Sequence, residues 1–193
     1  RDARGACLPD RPQWCMNSSA VRERSSAERT LARDWRYFTL LTFLFGFGFA
    51  TYNGVFQNFL RDALGTTPLQ LGTLESLREV PGLLTALTAG TVVMLAESRV
   101  AGLGLFITAV GVGLTGFVPG YGALLAVSIF WSLGFHLYSS VSAALTLALA
   151  KGEEGGRHLG RMAAVGSSST LLALALAWLA SRLLETRPYQ VYF

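Results

Sequence analysis

Charge is what this sequence has least of. Asp, Glu, Lys and Arg make up 15% of its 193 residues, against about 25% in an ordinary soluble domain. The apolar residues are also concentrated in five long stretches: 37–60, 69–95, 100–118, 121–150 and 162–184. Each stretch is close to the roughly 20 apolar residues that cross a bilayer as a helix. A buried helix of a soluble protein still needs a polar face, and residues 100–118 lack one. That speaks against a soluble fold.

Other absences narrow the class further. There is no strict apolar/polar alternation in segments of about 10 residues, which a membrane β-barrel would require. Cysteine occurs twice, as Cys7 and Cys15, too little for a disulfide framework. Histidine also occurs twice, as His136 and His158. Two separated histidines do not supply a metal site, and no His-Glu-x-x-His is present. His136 is near Ser139 and Ser140 in sequence, but no Gly-x-Ser-x-Gly elbow accompanies them, and no filter-like ring motif of a channel is seen. A membrane-embedded enzyme and a channel or scaffold are therefore the alternatives to a carrier, and neither has its signature here. No catalytic residue, metal or cofactor is expected. The net charge of +4 comes mostly from Arg22, Arg24, Arg29, Arg33 and Arg36, ahead of the first apolar stretch. It is not a nucleic-acid patch.

What is present reads as an all-α, polytopic transmembrane bundle with five full spans and the start of a sixth from residue 188. Residues 1–36 read as a polar, disordered cytoplasmic leader, with at most a short surface helix running into Trp35 and Tyr37 as interface anchors. Residues 1–15 precede the first methionine, Met16, and translation is expected to begin there; no signal peptide is visible. Lys and Arg mark cytoplasmic loops. With residues 16–36 inside, the inside set holds the five leader arginines, Arg99, Lys151, Arg157 and Arg161, and the outside set only Arg61, Arg182 and Arg187. The N-terminus is expected inside the cytoplasmic membrane.

The second stretch breaks the rule of scarcity. TLESLREVPGLL, residues 73–84, carries Glu75, Arg78 and Glu79, followed by Pro81 and Gly82. Positions i, i+3 and i+4 share one helix face. One charge at the bilayer centre costs about 2.5–3.5 kcal/mol on translocon scales, so this face is expected to meet protein or a water-filled cavity. Two roles suit it: an ion-paired clamp between helices, or proton coupling through a carboxylate, with Glu79 the deeper candidate. Other polar residues cluster in the first and fourth spans. Asn53 and Gln57 are one turn apart, flanked by Tyr52 and Asn58, and His136 and Ser140 are one turn apart, beside Tyr138 and Ser139. Tyr52, Asn53, Gln57, His136, Tyr138 and Ser140 are the candidate substrate lining. His158 reads as a solvated loop residue.

These two spans also share a pattern. GFATYNGV (48–55) and GFHLYSSV (134–141) match at Gly, Phe, Tyr and Val, 86 residues apart. LGTLESLREVPGLL (71–84) lies against LGRMAAVGSSSTLL (159–172), 88 residues apart. Span one thus pairs with four, and two with five. A repeat of three spans ends on the side opposite its start, so its second copy inserts upside down, the arrangement of many secondary transporters.

On this order of spans, on VMLAESRVAG (93–102) after span two and on the glycine-rich link KGEEGGRHLGRMAAVG (151–166), residues 36–193 resemble the N-terminal half of a major facilitator superfamily transporter. The Leu95-Ala96-Glu97 run stands where the family has Leu-Ala-Asp; Val93 and Ser98 depart from it. No arginine lies in span four and no Gly-Pro motif in span five, so the drug-exporter subclass is not implied. TLESLREVPG resembles poorly characterised bacterial members. The resemblance implies a 3+3 inverted repeat and alternating access. It also implies a small-molecule solute, with or without proton coupling, and a further C-terminal half. It gives Glu97 a gating role in the loop, with Arg99 as a weaker partner.

Overall fold

The computed structural model describes residues 13–92, 97–150 and 154–183, with side-chain surroundings for residues 23, 25–87, 97–150 and 154–183. They form five α-helices: α1 (Gln13–Asp62), α2 (Pro68–Val92), α3 (Glu97–Thr115), α4 (Tyr121–Ala150) and α5 (Gly155–Leu183). No strand occurs among the described residues. The expected start of a sixth span, Leu95 and Ala96, and residues 1–12 lie outside them.

By contacts the chain divides into Arg1–Thr39 and Leu40–Phe193. In the first unit the stretch that reads as a disordered leader is helical from Gln13 onward. Its hydroxyls suit that state: Ser26 Oγ donates to the Glu23 carbonyl and Thr30 Oγ1 to the Ser26 carbonyl.

In the second unit each helix start has a local cause. Thr67 caps α2 with a reciprocal box: its N–H donates to Gln70 Oε1 (2.8 Å), and the Gln70 N–H donates to Thr67 Oγ1 (3.3 Å). Pro68 occupies the first helical position, where its missing N–H costs nothing. Gly65 takes the left-handed conformation (φ +57°) that the tight α1–α2 turn needs. The expected polar link after span four is shorter than the sequence suggests. The Glu154 carbonyl accepts the N–H groups of Arg157 and His158, so α5 is under way at Gly155, and His158 is a half-buried residue of its first turn and not a solvated loop residue.

Among the described residues four helical segments are long and apolar enough to cross a membrane: Ser25–Asp62, Glu97–Thr115, Tyr121–Ala150 and Gly155–Leu183. Five were expected. The missing one is α2, because every 18-residue window inside it contains Glu75, Arg78 and Glu79.

The interior mixes large apolar side chains, such as Tyr52, Phe56, Leu74, Leu124 and Trp131, with small polar ones. Thr108, Thr115, Ser128, Ser132, Thr146 and Ser169 are buried, while Leu87, Phe106, Phe117, Leu171 and Trp178 are exposed. Small residues let helix backbones approach closely in lipid, and several of these hydroxyls are satisfied within their own helix, with Thr115 donating to the Gly111 carbonyl and Thr146 to the Ser142 carbonyl. α3 meets α4 most extensively. Gly104 and Gly134 face each other there: a Cβ on Gly104 would lie 2.7 Å from the Gly134 carbonyl oxygen, and one on Gly134 2.6 Å from that of Gly104.

α1 and α4 meet through aromatic rings. Phe45 packs on Tyr138 (4.6 Å between centroids), Phe49 on Phe135 (4.8 Å) and Tyr52 on Trp131 (5.2 Å). Position rises along α1 as it falls along α4, so the two helices run antiparallel. Ser132 Oγ donates to the Arg78 carbonyl, 2.5 Å away, tying α4 to α2. In a corresponding way α1 closes on α5: a Cβ on Gly46 would lie 3.3 Å from the Gly166 carbonyl oxygen.

Candidate functional site

The charged face of α2 is turned toward α4. Arg78 is the hub. Its Nη2 is ion-paired with Glu75 Oε2, its Nε lies 4.0 Å from Glu79 Oε1, and its guanidinium carbon sits 5.3 Å above the centre of the Trp131 ring. A guanidinium over an indole face is attracted by the ring quadrupole, all the more where water is thin. From α1 the Tyr52 ring packs edge-on against Trp131, centroids 5.2 Å apart. From α4 the His136 Nε2 comes within 3.5 Å of Glu79 Oε2.

Exposure falls off across this group. The Arg78 side chain is 16% exposed and His136 21%, while Glu75 is 35% and Glu79 65% exposed. The cation is therefore the covered member, and Glu79 is the carboxylate that opens outward. Gly82 makes the histidine contact possible: a Cβ there would lie 2.5–2.9 Å from three imidazole atoms. The helix continues through Pro81. Thr85 Oγ1 donates toward the Pro81 and Gly82 carbonyls (3.0 and 2.8 Å), covering acceptors near the position where proline removes a backbone donor.

The residues singled out from sequence thus divide. Glu75, Arg78, Glu79 and His136 come together in one cluster, although the sequence placed the first three and the last in different roles. Tyr52 joins them from α1. Tyr138 is buried against Phe45 and reaches Thr42. Asn53, Gln57 and Ser140 are exposed. Asn53 Nδ2 donates to its own helix at the Phe49 carbonyl (2.8 Å), and Ser140 Oγ to the Leu137 carbonyl (2.9 Å). Asn53 also borders an open hollow of about 400 Å³ with Gly46, Ala50, Gly54 and Thr170. Glu97 and Arg99 stand in the first turn of α3; Glu97 is half-buried, Arg99 exposed, and no ion pair joins them. Glu97 suits that place, since a carboxylate complements the positive end of a helix.

Two contributors escaped the sequence reading, Trp131 and Ser132, and Gly82 was singled out there without its role as the space for the His136 ring. A signal existed for one of them. Ser132 precedes His136 by four residues and so lies on the same face of α4.

No known protein family, no curated protein and no solved structure matches this chain.

Proposed function

We propose that this chain is half of a secondary carrier. It would sit in a bacterial cytoplasmic membrane with its N-terminus inside and move a small solute by alternating access, as its resemblance to the major facilitator superfamily implies. The observation that carries the reading is the α1–α4 contact. Under the offset of 86, Phe45, Phe49 and Tyr52 correspond to Trp131, Phe135 and Tyr138. The three ring pairs then match residue 45 with the counterpart of 52, residue 49 with its own counterpart, and residue 52 with the counterpart of 45. Such reciprocity is the mark of a two-fold relation. With antiparallel helices, it is what an inverted repeat would produce.

A second contact supports the same relation. Gly46 corresponds to Ser132, and Gly166 to Arg78 under the offset of 88. The approach of Gly46 to the Gly166 carbonyl thus has its counterpart in the bond from Ser132 to the Arg78 carbonyl. Spans one and four, where repeats of this type meet, bring Tyr52, Asn53, Gln57, His136, Tyr138 and Ser140 to the solute path, and Glu97 and Arg99 belong to its cytoplasmic gate. A sixth span and a second half would complete the cavity.

The test is flux. The full-length protein, reconstituted in liposomes and offered pools of labelled metabolites, is expected to show uptake that saturates and follows an imposed gradient. Flux that rises linearly with concentration would indicate a channel, and chemical conversion of a solute an enzyme; either result would overturn the proposal.

A further inference from the structure

We infer that the part of α1 ahead of the first apolar stretch is a docking surface for anionic phospholipid, formed by Arg29, Arg33 and Arg36. The inference needs α1 to enter the bilayer near Tyr37 with its N-terminus inside. It does not depend on transport.

The first argument is register. Residues 13–39 belong to one unit of the chain and are helical throughout. At 3.6 residues per turn, Arg22, Arg29, Arg33 and Arg36 fall within about 60° of one another around the axis. Ala27, Leu31, Trp35 and Phe38 fall within about 80° on the opposite side. Burial follows the same division. Arg29, Arg33 and Arg36 are exposed, and Leu31, Trp35 and Phe38 are half-buried. The Trp35 and Phe38 rings meet edge to face, 6.5 Å between centroids.

The second argument is charge that the chain leaves open. Residues 22–36 hold five arginines and three acids, so this part of the helix is net positive. The acids, Glu23, Glu28 and Asp34, stand well round the helix from the arginine stripe and not within it. Arg33 Nε lies 3.5 Å from Asp34 Oδ1, but both side chains are exposed, at 63% and 44%, and a pair so placed is held weakly. Among the described residues Arg29 and Arg36 have no ion pair.

The third argument is position. Arg36, Arg33 and Arg29 precede Tyr37, where the first apolar stretch begins, by one, four and eight residues. At about 1.5 Å per residue that is about 1.5, 6 and 12 Å along the axis. The headgroup layer is roughly 5–8 Å deep, and arginine side chains bend toward such a layer along their flexible stems. Trp35 and Tyr37 bracket Arg36, and both are residue types that settle at that level. A basic stripe kept there meets lipid phosphate first; an acidic protein or a nucleic acid would have to displace the lipid.

A signal for orientation alone would not need this arrangement. Orientation follows the number of basic residues in a cytoplasmic segment and is indifferent to the face they occupy. Here four of the five arginines share a face, with Arg24 the exception. The stripe offers guanidinium donors and no acceptor, so it reads the charge of the headgroup and not its identity.

The test counts bound lipid. The purified chain, delipidated in a neutral detergent, is titrated with phosphatidylglycerol and with phosphatidylcholine and followed by native mass spectrometry. Phosphatidylglycerol is expected to bind preferentially, and less so as salt is raised. The triple variant Arg29→Gln, Arg33→Gln, Arg36→Gln is expected to lose about tenfold or more of that preference, since each basic side chain near an anionic surface accounts for about fivefold. Lysine at the same three positions keeps it. Arg157→Gln with Arg161→Gln, which removes charge from α5 instead, keeps it as well. Equal binding of the two lipids by the unaltered chain would overturn the site, and that reading needs no variant to fold. So would a preference that survives in the glutamine triple, or one that is lost in the lysine triple or in the α5 pair. Capture of polyglutamate in place of lipid would assign the stripe to an acidic protein and overturn it too. None of these readings depends on flux: a chain that moves no solute can keep the site, and a carrier can lack it.

Discussion

Phe49 and Phe135 lie face to face, their ring centres 4.8 Å apart and their planes within 14° of parallel. They are 86 residues apart and occupy the same place in GFATYNGV and GFHLYSSV. Phe45–Tyr138 and Tyr52–Trp131 lie to either side of this contact along the two antiparallel helices. Truncating either ring to alanine is expected to cost about 3 kcal/mol, as for other large-to-small core changes. The double variant should cost less than the sum of the two singles by about 1 kcal/mol, the worth of a direct aromatic pair. Denaturant titration in detergent measures all three.

The two matching sequence segments also offer an internal control for packing. Gly134 is pressed against Gly104, Thr108 and Ile107, whereas its counterpart Gly48 has no atom within 4 Å of a Cβ. Gly134→Ala is expected to destabilise by about 1–3 kcal/mol through overpacking, while Gly48→Ala is neutral or slightly stabilising. Thermal unfolding of the two variants side by side tells them apart. Equal losses would mean that α3 does not sit on α4 as described.

Removing Glu75 strands a guanidinium that is only 16% exposed. Glu75→Gln is expected to cost about 1–3 kcal/mol, below the usual figure for a fully buried pair because Glu75 is one-third exposed. Replacing both partners, as Glu75→Gln with Arg78→Met, should recover most of that loss. A double-mutant cycle isolates the coupling; additive losses would show that Arg78 is held by Trp131 and Glu79 instead.

Gly82→Ala drives a methyl group into the His136 ring, whereas Gly72→Ala on the same helix meets nothing. The first is expected to part α2 from α4 near Glu79 and to lower stability by about 1–3 kcal/mol. The second is expected to gain a few tenths of a kcal/mol in helix propensity. Thermal unfolding of the two variants side by side measures the difference; equal stabilities would mean that the His136 ring does not pack on Gly82 as described.

Much of the architecture was legible in the sequence because lipid imposes a simple code. Long uncharged runs mark helices, and the expected bounds of the fourth, 121–150, coincide with α4. Helix starts were less legible. At 155 the cause is the carbonyl of Glu154, a residue in the left-handed conformation, and a glycine-rich string such as KGEEGGRHLG gives no sign of it. The charged face of α2 could be read from the spacing of residues 75, 78 and 79, but its partner could not. His136 is 57 positions from Glu79, and only the α2–α4 crossing, opened by Gly82, joins them. Trp131 and Ser132 look like ordinary members of an apolar run until α2 is laid beside them.

The central claim is that α2 crosses the membrane with Arg78 turned to α4, although its hydropathy alone would not carry it across. Dual alkaline phosphatase and green fluorescent protein fusions at Gly65, Ser98, Pro119 and Gly156 test this most directly. The account predicts Gly65 and Pro119 outside, and Ser98 and Gly156 inside. If Gly65 and Ser98 report the same side, α2 does not cross, and both the inverted repeat and the buried cluster are contradicted.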